Sequence, residues 1–211
     1  MHLSEPEQYL RFSLENKAGL ICLDRPAALN AINRQMALAI TNQLKVWKSD
    51  DRVGHVVIAS SAARAFCAGG DVREVYSHIA GNDKNGVTEF FRAEYMMDVT
   101  VAEFDKPVIA LADGLVIGGG AGLAQACHRV VITEATKLAM PEAAIGLFPD
   151  AGASLFFWAM SSRDRTFSGN FWTFSWCGRL PAFRTGRSDG FEPRNGSFTT
   201  CTDAVRNRSD R

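Results

Sequence analysis

Three short stretches combine residue types and spacings that can do chemistry. In the first, Phe66-Cys67-Ala68-Gly69-Gly70-Asp71, two glycines stand between an apolar run and a stretch of helical character. Glycines there let main chain approach a ligand with N–H groups turned toward it, while Asp71 equally fits the N-cap of a plain strand-to-helix turn. The second, Gly118-Gly119-Gly120, follows the apolar run 107–113 and precedes another helix. It frees helix N-terminal amides for an anion or an oxyanion. Its spacing excludes a phosphate-clamping P-loop and does not match the dinucleotide-binding GxGxxG. Each turn alone is a weak signal, but two such turns can supply converging N–H donors to one oxyanion. The third runs from Met140-Pro141-Glu142 to Phe148-Pro149-Asp150. Glu142 and Asp150 flank an apolar stretch and can face one site as base and hydrogen-bonding partner; apolar surroundings raise a carboxyl pKa as that work requires. The same acids also fit the first turn of a short helix and a turn cap.

The elements that must position these stretches alternate between strand and helix. Residues 9–16 and 18–24 read as a hairpin around Asn16-Lys17, followed by a Pro- and Asn-punctuated loop over 25–33. Met36, Leu38, Ile40, Leu44 and Trp47 recur at helical spacing over Arg34 to Lys48. HVVIASS (55–61) is a continuous apolar run of the kind seen in strands buried on both faces. A helix from Val72, a polar loop over 81–86 and a long helix near Thr88 to Phe104 come next. The strand 107–113, the glycine turn 114–122, a helical continuation over 123–127 and short strands at 129–134 and 137–140 complete the pattern. Strand–turn–helix units joined by glycine turns imply an α/β fold.

Composition bounds the remaining classes. The chain has 211 residues, 46% hydrophobic and 22% charged, with zero formal net charge. That is an ordinary globular balance, without the whole-chain field expected of a nucleic-acid or anionic-membrane binder and without an apolar run long enough to span a bilayer. The polar start, MHLSEPEQYL, shows no targeting pattern. Five scattered cysteines argue against a disulfide scaffold or zinc module and point to a cytoplasmic location. The four histidines show no metal-ligand spacing, and Cys67 reads as a small packed residue.

Charge zero hides an asymmetry. Residues 1–156 hold 14 basic and 18 acidic side chains, whereas residues 157–211 hold nine Arg, no Lys and five acids. The same 157–211 segment has three of the four Trp and seven of the 14 Phe, but one Leu, one Val and no Ile. Without aliphatic periodicity no helix or strand is expected there. The chain accordingly divides into a core over 1–156 and an aliphatic-poor tail over 157–211. A nucleic-acid arm is one reading of the tail; the preferred one is a shifted reading frame, because codons compatible with residues from Trp158 onward admit a frame with Ala/Leu/Ile periodicity.

The order Asn30-Ala31-Ile32-Asn33, AFCAGGDV, KPVIALADGLVIGGGAGLA and AMPEAAIGLFPDAGAS resembles the enoyl-CoA hydratase/isomerase (crotonase) superfamily over residues 9–156, and within it the 3-hydroxyisobutyryl-CoA hydrolases. The resemblance implies a crotonase-like spiral of ββα units, an acyl-CoA substrate and no separate cofactor. It implies an oxyanion hole from the N–H groups of Gly70 and Gly119, with Ala68, Asp71 and Glu94 at the substrate. Hydratases of the superfamily carry a glutamate where this chain has Gly122, and a second one where it has Glu142. Asp150 stands where hydratases have glycine and is typical of the hydrolases. The implied reaction is hydrolysis of a short branched hydroxyacyl-CoA thioester in valine breakdown, with Glu142 as nucleophile or base and Asp150 and Glu94 on the substrate hydroxyl. The alternatives are a hydratase or isomerase of the same superfamily and an inactive truncated product. Family members normally close the CoA site and make subunit contacts through C-terminal helices, so the tail stands against a homo-oligomer.

Overall fold

The computed structural model describes residues 8–154, 166–168 and 171–174. Leu10–Glu15 (β1) and Ala18–Leu23 (β2) pair as an antiparallel hairpin. Asn16 and Lys17 both have positive φ, 47° and 68°, the turn geometry whose twist suits a two-residue hairpin. Arg34–Lys48 (α1) forms as its spacing predicts, capped by Asn33, whose side chain accepts from Met36 N at 2.8 Å. Met36, Ile40, Leu44 and Trp47 bury one stripe, while Leu38 lies on the exposed side.

From His55 onward the chain repeats one unit, a strand in each of two sheets and then helix. His55–Ser60 (β3), Val108–Ala112 (β5) and Arg129–Ile132 (β7) extend the first sheet, ordered β1-β2-β3-β5-β7 and parallel from β2 onward. Ala65–Cys67 (β4), Leu115–Ile117 (β6) and Lys137–Met140 (β8) lie parallel in the second. Val72–Ala80 (α2) and Lys84–Ala102 (α3) follow β4, and Gly119–Ala126 (α4) follows β6. This is the spiral α/β architecture that the resemblance implies. Ile21, Leu23, Ile58, Phe66, Met97 and Leu123, drawn from both sheets and from α3 and α4, share one buried core.

Three features depart from the sequence expectations. The helix α3 begins at Lys84 inside the expected polar loop, because Asp83 caps it by accepting from Gly86 N at 2.9 Å. AFC and LVI are strands of three residues, too short for alternation to reveal. In the aliphatic-poor segment, Phe171–Phe174 (β10) pairs antiparallel with β8 and with Thr166–Ser168 (β9), extending the second sheet. The rest of 157–211, and with it the reading-frame expectation, lies outside the described residues. No helix among the described residues is long and apolar enough to cross a membrane.

Candidate active site

Strands β4, β6 and β8 are neighbours in one sheet and run the same way, so the segments leaving them emerge at the same carboxyl end, where ligands sit in parallel sheets. Ala68-Gly69-Gly70 leaves β4, Gly118-Gly119 leaves β6, and Pro141-Glu142 leaves β8. Stretches far apart in sequence thereby meet.

The two glycine bends touch. Gly69 has φ 99° and Gly118 φ 53°, conformations open to glycine at little cost. A Cβ on Gly69 would stand 2.9 Å from Ile117 O and 3.3 Å from Gly119 N, and one on Gly119 would stand 3.3 Å from Gly70 N. Among the described residues, neither the Gly70 nor the Gly119 N–H donates to a backbone carbonyl. Gly119 opens α4, whose first amides have no intrahelical acceptor.

The loop over 25–33 braces the first bend. Ile32 N donates to Gly69 O at 2.8 Å, Asp71 N to Ile32 O at 2.8 Å, and Ala68 N to Leu29 O at 3.0 Å. Asn30 is fully buried; it donates to Ser60 Oγ at 2.7 Å and Phe66 O at 3.1 Å and accepts from Arg25 N at 2.8 Å. Arg25 Nη1 donates to Asp71 at 2.6 Å and to Ala31 O at 2.9 Å. Asp71 also accepts from Arg73 N at 3.1 Å, so its carboxylate is engaged in capping α2 and pairing with Arg25. Arg25 carried no signal in the sequence beyond the Pro- and Asn-rich character of its loop, and Asn30 entered only as part of the Asn30-Ala31-Ile32-Asn33 motif, with no role attached to it.

Two acids reach the bends. Glu94, on α3, places Oε1 2.9 Å from a Cβ position on Gly70 and still closer to one on Gly119. Glu142 Oε1 lies 2.8 Å from a Cβ position on Gly118. Side chains at these glycines would collide with the acids. Glu94 and Glu142 are 5% and 8% exposed, and Glu94 Oε1 and Glu142 Oε2 have no hydrogen-bond partner among the described residues. Burial pushes the Glu94 carboxyl up to about 7, with the charges of Asp150 and Glu142 adding to it. Burial also raises Glu142 above the usual carboxylate range, its own backbone N–H opposing and Asp150 adding.

Asp150 completes the group, its Oδ2 accepting from the Tyr95 hydroxyl. Burial and then Asp150 hold that hydroxyl well above its ordinary pKa. Beside them opens a groove of about 600 Å³, lined by Val87, Phe91, Tyr95, Met96, Leu147 and Phe148 among others. Cys67 is buried behind the first bend, its thiol pushed up to about 12 by burial. Paired free amides with raised carboxyls alongside can polarise an acyl carbonyl and move a proton or form an acyl bond next to it.

The sequence profile described as enoyl-CoA hydratase/isomerase matches residues 18–170, and the chain belongs to that family. It is similar to the 3-hydroxyisobutyryl-CoA hydrolase, mitochondrial, of Danio rerio, 44% identical over 146 residues that make up 69% of this chain and 38% of the relative. The Homo sapiens protein of the same name is 41% identical over 157 residues, 74% of this chain and 40% of the relative. The chain thus spans about two fifths of the length of the curated relatives it matches. A solved enoyl-CoA hydratase from Rhodobacter sphaeroides superposes with a TM-score of 0.69 at 38% identity, over 72% of this chain and 45% of that one. A carnitinyl-CoA dehydratase from Mycobacterium thermoresistibile gives 0.68 at 34% identity, over 71% and 44%.

These names correct one expectation. The curated relatives are called mitochondrial, which overturns the cytoplasmic location read from cysteine usage. Scattered cysteines speak to redox chemistry and cannot by themselves name an organelle.

Proposed function

We propose that the chain is a CoA-thioester hydrolase of the 3-hydroxyisobutyryl-CoA type, acting in valine breakdown. The observation that carries this reading is the meeting of the Gly70 and Gly119 amides, with Glu142 Oε1 against the adjoining Gly118. The substrate carbonyl oxygen accepts from both N–H groups, which stabilise charge that develops only in the transition state. Glu142 attacks the carbonyl carbon or takes a proton from a water that does, and the sulfur leaves as CoA thiol. In the first route water then cleaves the acyl–Glu142 bond; in both, one water is consumed and a free acid released. Asp150 and Glu94 hold the substrate hydroxyl, with Ala68 and Asp71 behind the bend that receives the acyl group. No further cofactor enters this scheme.

Gly122 weighs against hydration. A Cβ there would stand 2.5 Å from the Ala151 methyl, so the loop carrying Asp150 fills the space in which a hydratase's first glutamate would begin. The test is a pair of assays on the purified chain, free thiol release from 3-hydroxyisobutyryl-CoA and water addition to crotonyl-CoA. Thiol release that disappears in Glu142→Gln is expected. Efficient hydration of crotonyl-CoA without thiol release would overturn the reading, and a folded chain doing neither would support an inactive product.

A further inference from the structure

Gly122 marks a second meeting point, and there one buried acid has been left without a task. Asp98 lies one helical turn beyond Glu94 on α3, and its Oδ2 stands 3.1 Å from the Cβ position on Gly122. The carbonyl oxygen of Ala151, the residue after Asp150, stands 3.1 Å from the same point. Both Asp98 oxygens are closed off from water, and neither has a hydrogen-bond partner among the described residues. A charged carboxylate facing a carbonyl without a donor between them would be repelled and unsolvated.

The surroundings resolve that conflict in favour of the neutral acid. The titratable groups facing Asp98 are Glu94 and Tyr95 from its own helix, Asp150 from the loop, Cys67 from β4 and Cys127 at the end of α4. All are acids or thiols. Burial, then Glu94 and Asp150, hold Asp98 well above the usual carboxylate range. A protonated carboxyl is a donor, and Ala151 O is an acceptor at the same distance from the Gly122 position as Asp98 Oδ2. Ala151 itself has φ 43°, a conformation a non-glycine residue keeps only when its surroundings impose it.

We propose that Asp98 is a positioning residue that clamps the Asp150 loop to α3 by donating its carboxyl O–H to the carbonyl oxygen of Ala151, across the gap that Gly122 leaves open. The role assigned to Asp150 rests on the hydrolase reading, but the clamp itself can be measured without catalysis. Glycine at 122 is then a requirement of the clamp, since any side chain would separate its two halves.

Hydrogen exchange of the segment 147–154 in the full, ligand-free chain tests this, comparing wild type with Asp98→Asn and Asp98→Leu. Asparagine keeps an N–H donor and leaves exchange, kcat and KM as in wild type. Leucine removes the donor; exchange of the segment quickens about tenfold, the effect of one hydrogen bond, and KM rises while kcat holds, because Asp150 grips the substrate hydroxyl in the ground state and the transition state alike. In wild type, exchange corrected for its intrinsic pH dependence also quickens as pH rises through the ionisation of Asp98, whereas Asp98→Asn shows no such step. Unchanged exchange in Asp98→Leu would overturn the clamp, as would Asp98→Asn exchanging as fast as the leucine variant. The wild-type pH series decides the matter even if the leucine variant does not fold: a missing step counts against the clamp. A chain that shows the step but hydrolyses no thioester would sink the hydrolase reading and leave the clamp standing.

Discussion

The two flanks of the site are held differently. The bend at Ala68-Gly69-Gly70 is locked to the 25–33 loop by Leu29, Ile32 and fully buried Asn30. The segment carrying Glu142 and Asp150 folds mainly on itself, through Leu147 N to Glu142 O at 3.0 Å and Ala153 N to Asp150 O at 2.7 Å. It also leaves Ile145, Leu147 and Phe148 exposed, the last at 75%. The contrast suits the proposed chemistry. Donors that must meet a developing charge act best when already fixed, because reorienting them during the reaction would consume the stabilisation they provide. Glu142 and Asp150 stand on a segment tied to α3 through side chains, the Tyr95 hydroxyl donating to Asp150.

The comparison can be broken at either flank. The largest expected effect is Glu142→Gln, which lowers kcat for thiol release by about 10²–10⁴-fold without changing the circular dichroism spectrum. Next is Gly119→Ala, whose new methyl meets Glu94 and the Gly70 amide; disturbing one oxyanion donor costs about 10²–10³-fold in kcat. Bracing predicts a stability difference of smaller size. Asn30→Ala, which orphans buried partners, destabilises by about 1–3 kcal/mol in urea unfolding, whereas Phe148→Ser on the opposite flank stays within about 0.5 kcal/mol.

A pH slope sharpens the electrostatic side of the contrast. Glu94 titrates near 7 in the folded chain, against about 4.3 in an unfolded one. Between those values the folded chain keeps a proton that the unfolded chain has lost, so stability falls as pH rises through that window, by at most about 1.4 kcal/mol per pH unit. Below the window this penalty is absent. Urea midpoints for wild type and Glu94→Gln at pH 5 and pH 7 should show a shallower slope in the variant. Equal slopes would mean that Glu94 is ionised throughout.

Much of this arrangement was legible in the residues themselves. Glycine pairs after apolar runs announce bends that only glycine tolerates, and Gly69 and Gly118 take positive φ. Asn33 and Asp83 cap helices through local bonds, but only the start after Asn33 was evident from apolar spacing. The first turn of α3, Lys84-Asn85-Gly86, is polar and carries no such stripe. The strands β4 and β6 escaped notice because three residues cannot display a period. Arg25 and Asp98 escaped for another reason: Asp71, which Arg25 pairs with, and Gly122, which Asp98 approaches, are distant in the chain, and nothing in a linear pattern reports such proximity.

The sequence unaided therefore determined local matters: where the chain bends, which faces are apolar, and which acids border glycine turns. Tertiary structure alone decided that β4, β6 and β8 would lie side by side and in one direction, delivering Gly70, Gly119 and Glu142 to a common end. It also decided the acidity of Glu94, because a carboxyl's pKa depends on the water removed from around it and on neighbouring charges, and both are set only when distant segments pack together.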